Sequence, residues 1–342
     1  MTATRPPLRQ RAAQTLLLST LVSGCAAPAS KAPPAADVGA VFDHHVHLLS
    51  PTLVGDWKSL GVPFSRPDSV YTSTAGLLAQ PGFDGAWVLS MGYLYSWTIF
   101  REGLHLDDAA EYQGVRREND YVAAEVGGAP DRLVGFCGVN PLRPYAKAEL
   151  LRCRDSLGLR GIKLHLANTG LDPRDPEQVS RAAAIAAWAE AGGQPMLLHF
   201  DPMRSGLEVA DLEPLLERVI DAHPKLDLVI AHLGGSGGYG EWTRAVAPAI
   251  ARRISGRPGR LALDLSATML ERESEGVPAT TPAEAALFAA DLRRIGLGNM
   301  VFGSDYPVFD PIAYRTTLRT RVPLTPVELD SIFANRPFAE PR

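Results

Sequence analysis

The sequence predicts an α/β protein folded as a single eight-stranded (β/α)₈ barrel. Three observations carry this expectation. Eight short apolar runs alternate with segments of helical periodicity, the pattern of a parallel sheet covered on both faces. No break in composition divides the chain, and eight such units in about 300 residues match the size of this barrel. Several runs end in a histidine or an aspartate, and barrels of this kind carry their chemistry at the C-terminal strand ends.

The expected strands are Val41–His47, Gly85–Ser90, Leu133–Val139, Gly161–His165, Pro195–Phe200, Leu228–His232, Leu261–Leu265 and Met300–Ser304. Helix starts lie between them. Asp175-Pro176-Glu177-Gln178, Thr281-Pro282-Ala283-Glu284 and Thr325-Pro326-Val327-Glu328 each set a cap, then Pro at the first helical position, then Glu or Gln at the third. That is a capping box with Pro pre-set for the first turn. Gly192-Gly193 and Gly296 close the helices before the fifth and eighth strands. The longest connection, Met91 to about Arg132, holds Tyr93-Leu94-Tyr95-Ser96-Trp97. This stretch is either a substrate lid or a loop packed on the barrel rim.

The 342 residues are 46% hydrophobic and 21% charged, with a formal net charge of -4. No cluster of Lys and Arg interleaved with aromatics occurs in the body, so nucleic acid is not an expected partner. Arg5, Arg9 and Arg11 precede the apolar stretch Ala12–Val22, which is too short to span a bilayer and reads as a signal peptide over residues 1–24. Val22-Ser23-Gly24-Cys25 resembles a bacterial lipobox. On that reading Cys25 is lipidated, residues 25–38 are a Pro-containing tether, and residues 39–342 form the barrel. Membrane contact would then run only through the lipid at Cys25, on the periplasmic face of the cell envelope with the outer membrane favoured, or the protein would be secreted. Two further cysteines remain. Cys137 lies in a strand-like run, and two free buried thiols, Cys137 and Cys153, are the simpler expectation, although an oxidising compartment permits a disulfide.

Phe42-Asp43-His44-His45-Val46-His47 places two histidines two residues apart at the end of an apolar run. In a strand, alternate side chains share a face, so His45 and His47 stand close enough to share a metal. Neutral imidazole is the commonest protein ligand for zinc and its neighbours. Later runs end in His199, His232 and Asp305, repeating the pattern of a polar group closing a buried strand. Alone, each motif is weak; a solvated turn or a satisfied core residue gives the same local signal.

Taken in order, Asp43-x-His45-x-His47, Gly161-Ile162-Lys163, Pro195-x-x-x-His199, His232-Leu233-Gly234-Gly235 and Gly303-Ser304-Asp305-Tyr306-Pro307 resemble the amidohydrolase-related branch of the amidohydrolase superfamily, which has a TIM barrel. Leu133-Val134-Gly135-Phe136, Asn140-Pro141 and Asn335-Arg336-Pro337 extend the likeness from about Val41 to Phe338. The resemblance implies one divalent metal held by His45, His47, His199 and Asp305. Zinc is the default expectation, with Mn²⁺ or Fe²⁺ as alternatives. It also implies catalytic roles for Asp305, as the group that takes a proton from water, and for His232, which polarises the scissile bond. For His232 itself, metal ligation and a structural role are the other readings. Bound Zn²⁺ lowers the pKa of its water to roughly 7.

Lys163 is costly inside an apolar strand unless paired. It is read as a substrate-binding ammonium, with a carboxylated lysine bridging two metals, or a structural ion pair, as alternatives. His165 shares its face and is read as a further substrate-binding residue, with a structural role as the other reading. Asp43 points inward as an orienting group. His44 faces away from the metal, and His105 and His223 read as surface residues. Gly235-Ser236-Gly237-Gly238-Tyr239-Gly240 satisfies a dinucleotide fingerprint, with Asp264 placed as a ribose acid. Five preceding βα units have no place in that reading, and a glycine loop beside His232 fits better. The expected function is a metal-dependent hydrolase of a small lactone, ester or amide, with non-oxidative decarboxylation as the alternative and a small molecule as the substrate. The sequence does not specify the oligomeric state.

Overall fold

The computed structural model describes residues 40–200, 207–254, 256, 259–274 and 277–338. Eight parallel strands follow one another in chain order: β1 (Val41–Leu48), β2 (Phe83–Ser90), β3 (Leu133–Gly138), β4 (Gly161–His165), β5 (Met196–His199), β6 (Leu228–Ile230), β7 (Leu261–Asp264) and β8 (Met300–Val301). The barrel closes where β1 meets the chain just past β8. His44 N donates to Phe302 O at 2.9 Å, Asp305 N to His45 O at 2.9 Å, and His47 N to Tyr306 O at 2.6 Å. The fold is a single TIM barrel.

All eight expected strands are present, but β6 and β8 stop early. His232 and Leu233 take left-handed backbone (φ 51° and 55°), as does Asp305 (φ 66°), so the chain leaves the sheet before the polar residue rather than at it. Such φ values are uncommon for residues with a Cβ and persist only where surrounding structure holds them.

The strands are buried on both faces. One alternate set, with Phe42, Trp87, Phe136, Leu197, Val229 and Val301, packs together inside the barrel. The other set meets the helices in a larger core. Among these helices are α1 (Pro51–Ser59), α2 (Asp108–Gly127), α3 (Ala146–Asp155), α4 (Pro176–Gly192), α5 (Glu241–Ile254) and α6 (Pro282–Ile295), followed by α7 (Pro311–Arg321) and α8 (Pro326–Phe333). Reciprocal capping boxes start α6 and α8. At α4 Asp175 caps as expected, but Gln178 turns its amide oxygen to Asp172 N instead of closing the box. Gly193 ends α4 at φ 62°, a conformation that favours glycine.

One expectation changes, and one of two alternatives is selected. Cys137 and Cys153 are not free thiols; they are joined as a disulfide with Cα atoms 6.0 Å apart. Cys137 belongs to the helix-facing set of β3, and Cys153 is a buried residue of α3, so the two meet across the sheet–helix interface. The Tyr93–Ser96 stretch is a 3₁₀ turn whose Tyr93, Leu94 and Tyr95 pack with Leu49, Leu53, Phe100 and Val115. It is rim packing, not a lid. The signal segment, Cys25 and the tether lie outside the described residues. Among the described residues, no helix is long and apolar enough to cross a membrane.

Candidate active site

The site begins with an irregularity in β1. Its pairing with β2 shifts register between Asp43 and Val46, a bulge that adds a residue to one strand and re-aims side chains. As a result His44 packs edge-on against Phe42 and Trp87 beneath the site, while His45 and His47 both turn to the chamber. Asp43 fixes the bulge: its Oδ1 accepts from His45 N at 2.9 Å and Ser304 N at 3.0 Å. Burial pushes the Asp43 carboxyl up to about 7.

His45 and His47 bring their Nε2 atoms to 3.1 Å. Their other ring nitrogens face acceptors: His45 Nδ1 lies 2.8 Å from Asp264 Oδ2, and His47 Nδ1 lies 3.3 Å from Leu89 O. An acceptor at Nδ1 places the proton there and leaves Nε2 as a lone pair, the arrangement typical of metal-binding histidines. Asp305 Oδ1 lies 3.4 Å from both Nε2 atoms. The candidate ligand atoms of His45, His47 and Asp305 all fall within 4.8 Å of one another. This is a buried His/Asp site able to take a metal ion.

The remaining histidines continue from it as an arc. The His45 ring lies 4.8 Å from His232, His232 lies 4.5 Å from His199, and His199 lies 4.1 Å from His165. His199 therefore shares the chamber, yet it joins no three-ligand group with His45, His47 and Asp305 among the described residues. Its Nε2 is buried with no hydrogen-bond partner among them. Buried polar atoms are rarely left so, and an electron-pair acceptor such as a cation satisfies this one. The donor set thus fits a divalent metal.

Electrostatics agree. Burial lowers the pKa of His45, His47, His165 and His199, keeping these imidazoles neutral, which is the ligating form. Burial alone would raise the Asp305 carboxyl. The hydrogen bond with His47, with the surrounding imidazoles, outweighs it and holds Asp305 below the usual carboxylate range.

Lys163 is wholly buried in β4, with Nζ 3.4 Å from His45 Nε2. Among the described residues no carboxylate lies within ion-pair distance of it. Burial pushes its ammonium down to about 8. His165 accepts a hydrogen bond from Asn168 N through Nδ1 and lies 5.4 Å from the Tyr93 ring. His232 Nδ1 faces Ser266 O at 2.8 Å, which turns its Nε2 away from β7 and toward the arc. His105 is exposed, and His223 is half-buried beside Glu190 at 3.4 Å.

Sequence reasoning placed Asp264 only in the rejected dinucleotide reading and passed over Ser266. The Asp264 carboxylate serves His45 and His232, so no ribose acid is left for the glycine loop. That loop instead meets the segment that follows β7, where Gly238 N donates to Ala267 O at 2.6 Å. The missed signal was Leu261-Ala262-Leu263-Asp264, another apolar run closed by a polar residue.

A family profile described as Amidohydrolase matches residues 94–335, more than two thirds of the chain. The matched segment begins after β2, so His45 and His47 lie outside it. No curated protein matches the sequence. Among solved structures, 5-carboxyvanillate decarboxylase from Sphingomonas paucimobilis aligns at 16% identity over 86% of this chain and 96% of that one, with a TM-score of 0.56. A dihydroxybenzoic acid decarboxylase from Polaromonas, with bound manganese and the inhibitor 2-nitroresorcinol, aligns at 15% identity over 86% and 94%, with a TM-score of 0.53. A Pseudomonas putida protein assigned as 2-pyrone-4,6-dicarboxylic acid hydrolase aligns at 17% identity over 86% and 94%, with a TM-score of 0.52. At these identities the likeness is one of fold.

Proposed function

This chain belongs to the amidohydrolase family, and from that premise we propose that it is a metal-dependent decarboxylase of a small, carboxylate-bearing unsaturated or aromatic acid. The observation that carries the substrate class is Lys163. A wholly buried ammonium without a carboxylate partner among the described residues, facing the ligand nitrogen of His45, calls for an anion from outside the chain. Dihydroxybenzoate, carboxyvanillate and pyrone dicarboxylate, the acids named for the structural neighbours, all carry such a group, and two of those three neighbours are decarboxylases.

His45, His47, His199 and Asp305 would hold the ion, zinc or manganese. When bound, the metal supplies Lewis-acid stabilisation of developing negative charge. Lys163 receives and orients the substrate anion. Loss of CO₂ leaves an electron pair on carbon, which a proton must take up. Asp305 is held too acidic to deliver that proton at neutral pH. His232, with Nδ1 tied to Ser266 O and Nε2 toward the arc, is the group placed to deliver it in its protonated form.

Hydrolysis of a lactone, ester or amide is the second reading, in which Asp305, placed 3.4 Å from the Nε2 atoms of His45 and His47, takes the proton of the attacking water. The two reactions separate by product. Metal-loaded protein is incubated with hydroxybenzoates and with pyrone or lactone carboxylates, and CO₂ and acid release are followed in parallel. CO₂ release supports decarboxylation. Acid release without CO₂ replaces it with hydrolysis.

A further inference from the structure

We infer that Asp264 is a positioning residue for both halves of the site: one carboxylate oxygen selects the metal-binding tautomer of His45, and the other holds the turn that presents His232. The inference rests on the proposed roles of those two histidines and assigns a role to a residue outside the proposed ligand set of His45, His47, His199 and Asp305.

The argument is one of donor and acceptor counting. Asp264 closes β7 and is fully buried, as is Ser266. Its Oδ2 lies 2.8 Å from His45 Nδ1. An ionised carboxylate only accepts, so the proton sits on His45 Nδ1 and the lone pair on Nε2. Its Oδ1 accepts from His232 N at 2.9 Å, from Ser266 N at 3.0 Å, and from the Ser266 hydroxyl. The bond to His232 N secures a residue in left-handed backbone just where the chain leaves the sheet. Having donated to Asp264, the Ser266 hydroxyl keeps two lone pairs, and these lie 3.0 Å from His45 Nδ1 and 2.9 Å from His232 Nδ1. Every donor has an acceptor, and the network closes only with both histidines protonated at Nδ1.

Asp264→Asn tests this directly. The asparagine oxygen must serve the two backbone N–H groups, which leaves its amide N–H₂ facing His45 Nδ1. That nitrogen then has to accept, the proton moves to Nε2, and the ligand lone pair is lost; an aspartate to asparagine change that inverts a histidine tautomer has the same logic in a catalytic triad. Ser266→Ala is the control, because it leaves the carboxylate on His45 in place. Long-range ¹H–¹⁵N correlation spectra of metal-free, ¹⁵N-histidine-labelled full chain report each tautomer. Zinc affinity is measured separately by competition with a chelator. Wild type and Ser266→Ala are expected to show His45 protonated at Nδ1. Asp264→Asn is expected to show it at Nε2, with zinc affinity about 10–100-fold weaker, the usual effect of removing a group that orients a ligand histidine.

A wild-type His45 protonated at Nε2 overturns the inference, and this holds even if the variant fails to fold. An Asp264→Asn protein with His45 still protonated at Nδ1 and unchanged zinc affinity also overturns it. Wild-type protein that binds no zinc while showing the expected tautomers sinks the proposed function and leaves the positioning intact.

Discussion

Replacing Lys163 with methionine should stabilise the metal-free protein and abolish its activity. The side chain is wholly buried in β4, and among the described residues its Nζ has only the ring nitrogen of His45 within hydrogen-bond reach. Burial moves the ammonium from 10.5 to about 8. Each pKa unit is about 1.4 kcal/mol, so holding the charge in the folded state at neutral pH costs about 3 kcal/mol. Methionine is similar in length, neutral, and fills irregular gaps well. The direction with pH follows from proton counting. Between about pH 8 and 10.5 the unfolded chain holds a proton on this lysine that the folded chain lacks, so wild-type stability gains with rising pH across that window. The advantage of Lys163→Met is therefore full below about pH 8, shrinks above it, and is gone by about pH 10.5. Urea unfolding of both proteins at pH 7 and pH 9.5, without metal, measures it. A variant less stable than wild type at pH 7 would refute the reasoning, because it would mean that Lys163 holds the fold together instead of waiting for a substrate anion.

Two further outcomes follow from the site and the N-terminus. His232→Asn should lower kcat by about 10²–10⁴, the usual worth of a proton-transfer group. Asp305→Asn at saturating metal should lower it less, and the opposite order in steady-state assays would favour hydrolysis. We also propose that Cys25 carries lipid and anchors the protein at the periplasmic face of the envelope; labelled palmitate should enter the wild type but not Cys25→Ser, and a mature N-terminus away from Cys25 would end that reading.

The barrel was legible because each strand is short, apolar on both faces and bounded by helix signals, a pattern with few other physical solutions. The candidate site was legible for the related reason that His45 and His47 lie near the end of β1, His199 ends β5, and His232 and Asp305 follow shortly after β6 and β8. What stayed hidden depends on contacts between distant segments. The β1 bulge leaves no mark in sequence, because Asp43 holds it by bonding to Ser304 N on the far side of the closure. Left-handed backbone at His232, Leu233 and Asp305 shortened β6 and β8, although none of these residue types announces it. Pairing of Cys137 with Cys153 turns on which face of β3 meets α3. Asp264 carried the same signal as the histidines, and the nearby glycine run drew it into another reading.

Metal content tests the central claim most directly. The full chain, purified and exchanged into metal-free buffer, should retain one divalent ion per chain by elemental analysis, and the His45→Ala, His47→Ala double variant should retain none while keeping the wild-type circular dichroism spectrum. A folded double variant that holds as much metal as wild type, or a wild type that takes up none when offered zinc or manganese, would contradict the account.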